Sequence, residues 1–289
     1  MKPLIVITGP TASGKTEMSI EMAQKIGGEI VNADSMQVYK YMDIGTAKPT
    51  LEERNKIPHY LIDEVEPTVS YSVAQYVVAA RDYIAKVHEK QKTPILVGGT
   101  GLYIDSVVNN IQYGEGGVDE NYRMHLKKIA DEMGNEHIHK MLHGIDPKSA
   151  EKIHVSDRKR IIRALEVYHL TGETITEQKE KSRLQKSPYQ VEMYAINMDR
   201  SKLYDRINKR VDIMIKKGLV EEVERLIKMG VNENMTSMQG IGYKEIMQYL
   251  KGEISLDEAT DMIKQGTRRY AKRQLTWLRK NSKIQWIWR

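Results

Sequence analysis

The stretch MKPLIVITGPTASGKT, residues 1 to 16, decides how the chain is read. Residues 3 to 8 are apolar and β-branched, which predicts a buried strand. Residues 9 to 14 predict a glycine-containing loop. Lys15 to Ile26 then predict a helix with Met18, Ile20, Met22 and Ala23 at apolar positions. Gly9, Pro10, Thr11, Ala12, Ser13, Gly14, Lys15 and Thr16 fit the pattern G-x-x-x-x-G-K-[ST], and they stand between a strand and a helix as that pattern requires. The loop N–H groups and the helix N-terminus offer donors and partial positive charge to phosphate oxygens. Lys15 adds a full charge, and Thr16 a hydroxyl for Mg²⁺. What is specified is a diphosphate, not the group attached to it.

Outward from this unit, strand and helix patterns alternate. GEIVNADS predicts a short strand from Glu29 to Asp34, residues 71 to 91 an amphipathic helix, and TPILVGGTGLY a buried strand that runs into a glycine turn. Such alternation implies a parallel sheet with ligands at the carboxyl ends of its strands. The glycine-rich QYGEGGVD, from Gln112 to Asp119, marks a boundary. Glu120 to about Ser187 is helical in pattern and highly charged. Residues 194 to 199 predict a returning strand, followed by helices over 201–218 and 255–280. The expected fold is therefore α/β: a P-loop NTPase-like parallel sheet core flanked by helices, split between residues 1–115 and 190–289, with a helical insertion at 116–189.

Composition narrows the function classes. The 289 residues include no cysteine, so disulfides, thiolate metal sites and cysteine nucleophiles are excluded. The apolar run at the start is far shorter than a signal segment or a membrane span, so a soluble, cytoplasmic protein is expected. The net charge is +6, and from Lys264 to Arg289 there are nine basic residues and no acidic one. That asymmetry points to a polyanionic partner. Phenylalanine is absent, and tyrosine, tryptophan and methionine are expected to fill the core in its place.

Several residues are candidates for chemistry. Asp34 follows a β-branched run and so falls at a strand's carboxyl end, on the same edge as the phosphate loop. It fits a general base, a carboxylate near magnesium, or a helix cap. Gly98, Gly99, Thr100 and Gly101 end the buried strand TPILV. They fit either close approach of a ligand with the Thr100 hydroxyl at its mouth, or a tight strand-to-helix turn. Arg206 and Arg210 are four apart and share a helix face with room for a leaving diphosphate's charge, and a second basic face runs from Thr267 to Gln274. The eight histidines show no metal-binding spacing, and no G-x-S-x-G element is present.

Taken in order, GPTASGKT, ADSMQVY, MDIGTAKP, PHYLID, VGGTGLY, RALEVY, RINKRVD, QGIGYKE and RRYAKRQLTW resemble the tRNA dimethylallyltransferase, or isopentenyl-tRNA transferase, family from residue 9 to residue 277. The resemblance implies transfer of dimethylallyl from dimethylallyl diphosphate to N6 of adenosine 37 in the tRNA anticodon stem-loop, with Mg²⁺ required and an insertion that grips the stem. By the same resemblance Gly9, Thr11, Ala12, Ser13, Gly14, Lys15, Thr16 and Arg210 would hold the prenyl diphosphate, with Thr16 toward the metal. Asp34 would be the general base, and Thr11 and Arg210 would act beside it. The tRNA would meet Asp34, Ser35, Met36, Gln37, Thr100, Arg123, Lys159, Arg160, Arg163, Gln239, Gly240, Gly242, Tyr243, Lys244, Arg268, Arg269, Lys272 and Arg273. A monomer without a membrane association is expected. Tyr41 stands where relatives usually have glycine before MDIGT, Val155 where they have proline, Gly240 where they have alanine and Leu278 where they have phenylalanine. A small-molecule or nucleotide kinase and a nucleic-acid-dependent ATPase are the other functions that the phosphate loop alone allows.

Overall fold

The computed structural model describes residues 1–113 and 117–289. Residues 114–116, where the expected boundary between core and insertion falls, lie outside the described residues. Two compact units are formed, one by Met1–Val108 with Pro188–Arg289 and the other by Asn109–Ser187.

In the first unit, the apolar opening becomes β1 (Lys2–Thr8), flanked by β4 (Pro94–Gly98) and β5 (Tyr189–Asn197). With β2 (Glu29–Asn32), β3 (His59–Tyr60) and β6 (Ile284–Trp288), these make one sheet in the order β3-β2-β4-β1-β5-β6, and every pairing is parallel. A parallel sheet needs cover on both faces, which is why β2 and β4 are buried along their whole length. Helices supply that cover. They are α1 (Lys15–Ile26), α2 (Leu51–Lys56), α3 (Val73–Glu89), α4 (Gly101–Val108), α10 (Arg200–Lys216), α11 (Leu219–Lys228), α12 (Tyr243–Leu250) and α13 (Leu256–Leu278). The chain leaves β1 for β2 and β3, returns to β4, and crosses to β5 on the far side. The order therefore reverses beside β1, and the loops after β1, β2 and β4 meet at one edge, the place such sheets bind ligands.

The opposite end is pinned by a buried charge. Glu29 is 1% exposed and accepts from Lys92 Nζ (2.7 Å), Tyr60 Oη (2.6 Å) and Lys90 Nζ (3.0 Å). Burial alone would raise its carboxyl, but these donors outweigh it and hold the group at about 2.

The basic C-terminal stretch serves the fold as well as the surface. Helix α13 buries Ala259, Ile263, Ala271, Gln274 and Leu278, and the IQWIW run that follows is a sixth strand the sequence pattern did not disclose. Tyr39, Tyr76, Tyr243, Met42 and Met238 do fill the core, as the missing phenylalanines suggest, whereas Trp277 and Trp286 are only half-buried and Trp288 is exposed. Among the described residues no helix is long and apolar enough to cross a membrane.

The second unit holds α5 (Glu120–Met133), α6 (Asn135–Ile145), α7 (Pro147–Ala150), α8 (Arg158–Thr171) and α9 (Ile175–Leu184) around Leu126, Ile138, Leu142, Ile161 and Leu165. Within this core Glu166 is 0% exposed. It accepts from Arg163 Nη1 (2.5 Å), the Asp119 N–H (2.9 Å) and Arg123 Nε (2.8 Å). Burial opposes ionisation, but these donors hold the carboxyl below its usual range.

Tyr41 adopts a left-handed turn of the kind glycine favours: its φ is +64°, and the residue is 49% exposed. A left-handed conformation costs a residue with a Cβ about 1–2 kcal/mol, while glycine loses about 0.5–1 kcal/mol more chain entropy. Tyr41→Gly should therefore raise stability by about 0.5–1 kcal/mol in denaturant unfolding.

Candidate active site

The phosphate loop is wound as a concave backbone. Ala12 (φ +64°) and Gly14 (φ +95°) are both left-handed, and the Ser13 N–H donates to the Pro10 carbonyl at 3.3 Å. A left-handed alanine is strained, the kind of local cost kept where backbone donors must point at a ligand. The buried Ser13 Oγ has no partner, and Lys15 Nζ rests on the Pro10 carbonyl at 2.9 Å. Burial, then the Arg210 guanidinium, lower the Lys15 ammonium to about 8, with Asp34 opposing them. Arg210 comes from α10 and reaches Thr11 Oγ1 through Nη1 at 3.5 Å. Its own pKa is lowered by burial and then by Arg206. Crowded cations and an orphaned hydroxyl around a left-handed loop describe a seat for a dense anion.

This seat and Asp34 share one cavity of about 340 Å³, lined among others by Thr11 to Thr16, Asp34, Gln37, Lys48, Arg206, Arg210, Tyr270 and Gln274. Asp34 follows β2 and accepts the Met36 N–H (2.9 Å) and Gln37 N–H (3.4 Å) on Oδ1. It thus caps the turn after it, and the other carboxylate oxygen has no bond to these amides. Both the cap and the base read from the sequence fit one residue. A second cavity of about 530 Å³, with Ile44, Leu51, Ile213 and Met214 in its wall, shares Ala47, Lys48, Pro49 and Arg210 with the first.

Glycines 98, 99 and 101 permit a close approach, but the approaching groups belong to the protein. A Cβ on Gly98 would lie 2.1 Å from the Ala33 carbonyl oxygen, one on Gly99 2.2 Å from Gln274 Nε2 and one on Gly101 2.5 Å from the Trp277 ring. The tight-turn reading holds for this motif. The Thr100 hydroxyl accepts the Ser35 N–H at 3.1 Å and so fixes the Asp34 turn.

The DIGTAKP stretch is a loop organised from inside. Glu222 of α11, 1% exposed, accepts the N–H groups of Ile44 (2.8 Å), Asp43 (2.9 Å) and Gly45 (3.1 Å) and the Tyr243 hydroxyl (2.8 Å). Gln37 Nε2 joins this loop to the Asp34 turn through the Thr46 carbonyl at 3.1 Å. Lys48 is buried against the Tyr39 carbonyl (2.6 Å), Asp43 (2.7 Å) and Asp63.

Several residues assigned to tRNA contact turn out to be internally engaged. Tyr243 is 0% exposed, with its ring against Gly45, so its side chain is core. Gly242 (φ +104°) starts α12, and Gly240 ends a short helical turn beside Tyr243 and Met36. Arg123 and Arg163 neutralise Glu166, and Arg268 donates to Asn208 at 2.6 Å. Lys159, Arg160, Gln239, Lys244, Arg269, Lys272 and Arg273 are exposed. Sequence reading missed Tyr270, Gln274 and Glu222. Tyr270 and Gln274 stand four apart in RRYAKRQLTW, a helical spacing obscured by reading that stretch only for its charge.

The chain matches the IPP transferase family over residues 37 to 281. The chain belongs to the IPP transferase family. A tRNA dimethylallyltransferase of Acetivibrio thermocellus is 53% identical over 287 residues, which is 99% of this chain and 92% of that one. The full-length tRNA isopentenylpyrophosphate transferase of Bacillus halodurans is 44% identical, with a TM-score of 0.74 over 100% of this chain and 90% of that one. A eukaryotic dimethylallyltransferase crystallised in the course of acting on tRNA is 29% identical, with a TM-score of 0.84 over 100% of this chain and 74% of that one. As an IPP transferase the chain is a prenyltransferase, and its parallel sheet with a phosphate loop is that family's fold.

Two measurements test this site. Tyr243→Phe takes a donor from buried Glu222 and should cost about 1–3 kcal/mol in chemical denaturation, whereas exposed Lys244→Ala should stay within about 0.5 kcal/mol. A bound anion favours the Lys15 ammonium and raises its pKa above the free value of about 8. Affinity for inorganic diphosphate is then at full strength below about pH 8 and falls as pH rises through it, with proton uptake on binding seen by calorimetry. Lys15→Arg should flatten this dependence, because a guanidinium stays charged.

Proposed function

We propose that the chain transfers the dimethylallyl group of dimethylallyl diphosphate to N6 of adenosine 37 in the tRNA anticodon stem-loop and releases diphosphate. The observation that carries this reading is the single cavity that joins Lys15, Arg210 and the phosphate loop to the Asp34 carboxylate. The donor's diphosphate takes the loop, with Gly9, Thr11, Ala12, Ser13, Gly14, Lys15, Thr16 and Arg210 around it. The target adenine leaves its stack and enters from the Asp34, Ser35 and Gln37 side, with Thr100 behind that turn.

The adenine amine is a weak nucleophile because its lone pair is delocalised into the ring. As N6 bonds to the allylic carbon, the carbon–oxygen bond to diphosphate breaks, and the proton of N6 passes to Asp34. That transfer is worth about 10²- to 10⁴-fold in rate. Lys15 and Arg210 offset charge on the departing diphosphate while the carbon gains cationic character. Among the described residues no group of three or more His, Cys, Asp or Glu side chains is placed to hold a metal ion. The Thr16 hydroxyl and the unpartnered Ser13 hydroxyl, both lining the cavity, would be the protein groups toward a Mg²⁺ held with the diphosphate. Bound there, it would supply further positive charge to the leaving group.

Exposed Arg269, Lys272 and Arg273 on α13, with Lys244 and Gln239, suit backbone phosphates of the tRNA, and so do Lys159 and Arg160 of the insertion. Arg123, Arg163 and Arg268 enter this reading as anchors of those surfaces. One chain carries every group named, so we expect a monomer at work in the cytoplasm, where tRNA is modified.

The test is incubation of undermodified tRNA with dimethylallyl diphosphate or ATP, followed by nucleoside mass analysis. A gain of C5H8 on adenosine with the first supports the reading, and ATP consumption without that gain refutes it. Asp34→Asn keeps the acceptor for Met36 and Gln37 but removes the base. It should cut kcat about 10²- to 10⁴-fold while leaving tRNA affinity within about threefold, and near-normal turnover would remove Asp34 from its role.

A further inference from the structure

The buried amide of Gln274 spans two loops that the backbone leaves separate. Its Oε1 accepts the Thr11 N–H at 2.8 Å and its Nε2 donates to the Gly99 carbonyl at 2.9 Å. The first partner belongs to the phosphate loop after β1, the second to the turn after β4, and these neighbouring strands pair at Thr8 and Gly98. The fit is close enough that any Cβ at residue 99 would meet the amide nitrogen at 2.2 Å.

Each end of this bridge continues into the site. From Thr11, the side chain meets Arg210 at 3.5 Å. From Gly99, the next residue holds the Ser35 N–H at 3.1 Å, beside Asp34. A single amide thus stands between the arginine that faces the leaving diphosphate and the carboxylate that faces the amine. No charge is involved, which suits a group that must align two loops without competing for the diphosphate.

We propose that Gln274 is a positioning residue for the transfer reaction, setting the spacing between the donor loop and the Asp34 turn. This inference rests on the function proposed above. Because the two reacting ends bind on different loops, either can bind when the bridge is lost, but their alignment cannot be kept. A displacement on the order of 1 Å costs such reactions about 10²-fold. The helix itself does not depend on the amide: Trp277 Nε1 donates to Asp105 at 2.8 Å, and Ala271 and Leu278 are buried.

Gln274→Met keeps the length of the side chain and removes both hydrogen bonds, and Gln274→Glu keeps the acceptor for Thr11 but loses the donor to Gly99 at neutral pH. In the full chain, both variants should lower kcat about 10²-fold. Affinities for dimethylallyl diphosphate and for an anticodon stem-loop, each measured alone, should stay within about threefold of the parent, and the thermal midpoint should confirm a folded protein. A kcat within threefold of the parent in Gln274→Met would overturn the proposal. So would a loss of kcat matched by an equal loss of both affinities, which marks a general structural role. If the unmodified chain itself forms no prenylated nucleoside, the proposed function fails instead, and the two failures are told apart by that control.

Discussion

The site depends on how closely strands β2 and β4 can end beside one another. The Ala33 carbonyl stands 2.1 Å from where a Cβ on Gly98 would be, a separation no side chain survives. Ala33 bonds to the β4 end on both sides of this contact: its N–H donates to the Val97 carbonyl at 2.7 Å and its carbonyl accepts the Thr100 N–H at 3.2 Å. The Asp34 turn is thereby drawn onto the turn after β4, and through the adjacent β1 it comes within reach of the phosphate loop. Any larger residue at 98 would push the carboxylate away from the cations that it shares a cavity with. A backbone contact, more than any catalytic side chain, sets the scale of the site.

Much of this was legible in the sequence, for identifiable reasons. The phosphate loop declares itself through a fixed spacing between an apolar strand and a helix, and α1 occupies Lys15–Ile26 as the pattern predicts. Asp34 is legible as the end of a β-branched run. What was hidden depends on partners far apart in the chain. β3 is two residues long and β6 follows a basic helix, so neither carries an alternation that a window can detect. Glu222 looks like one more charge in LVEEVERLIK, although it organises a loop about 180 residues away. The ring of Tyr243, expected among the tRNA contacts by resemblance, is likewise a core group in the fold.

Charge is distributed differently in the two units. In the insertion, Arg123 and Arg163 converge on buried Glu166, so both guanidinium groups are engaged within the unit. Removing both would strand a buried carboxylate, the expensive half of a buried pair. Around the phosphate loop the imbalance is left open. Burial and then Arg210 depress the Lys15 pKa, burial and then Arg206 that of Arg210, and Asp34 only partly offsets the effect on Lys15. A fold stable in spite of that repulsion carries a standing preference for an anion, and the free energy of relieving it becomes affinity for the diphosphate.

Helix α13 connects these levels. Its basic residues turn outward at Arg269, Lys272 and Arg273, while the positions between them carry Tyr270, Ala271 and Gln274 inward. Burial and then the Asp34 charge push the Tyr270 hydroxyl's pKa upward, so it is a neutral hydroxyl at neutral pH. One helix therefore presents charge to solvent on one face and uncharged hydrogen-bonding groups to the Asp34 cavity on the other. The separation is physically sensible. A lysine or arginine directed inward from this helix would add a further cation beside Lys15 and Arg210, whereas a phenol and an amide can hold the surrounding loops without altering the charge of the cavity. A segment read for its charge as a polyanion surface thus turns uncharged Tyr270, Ala271 and Gln274 toward the interior.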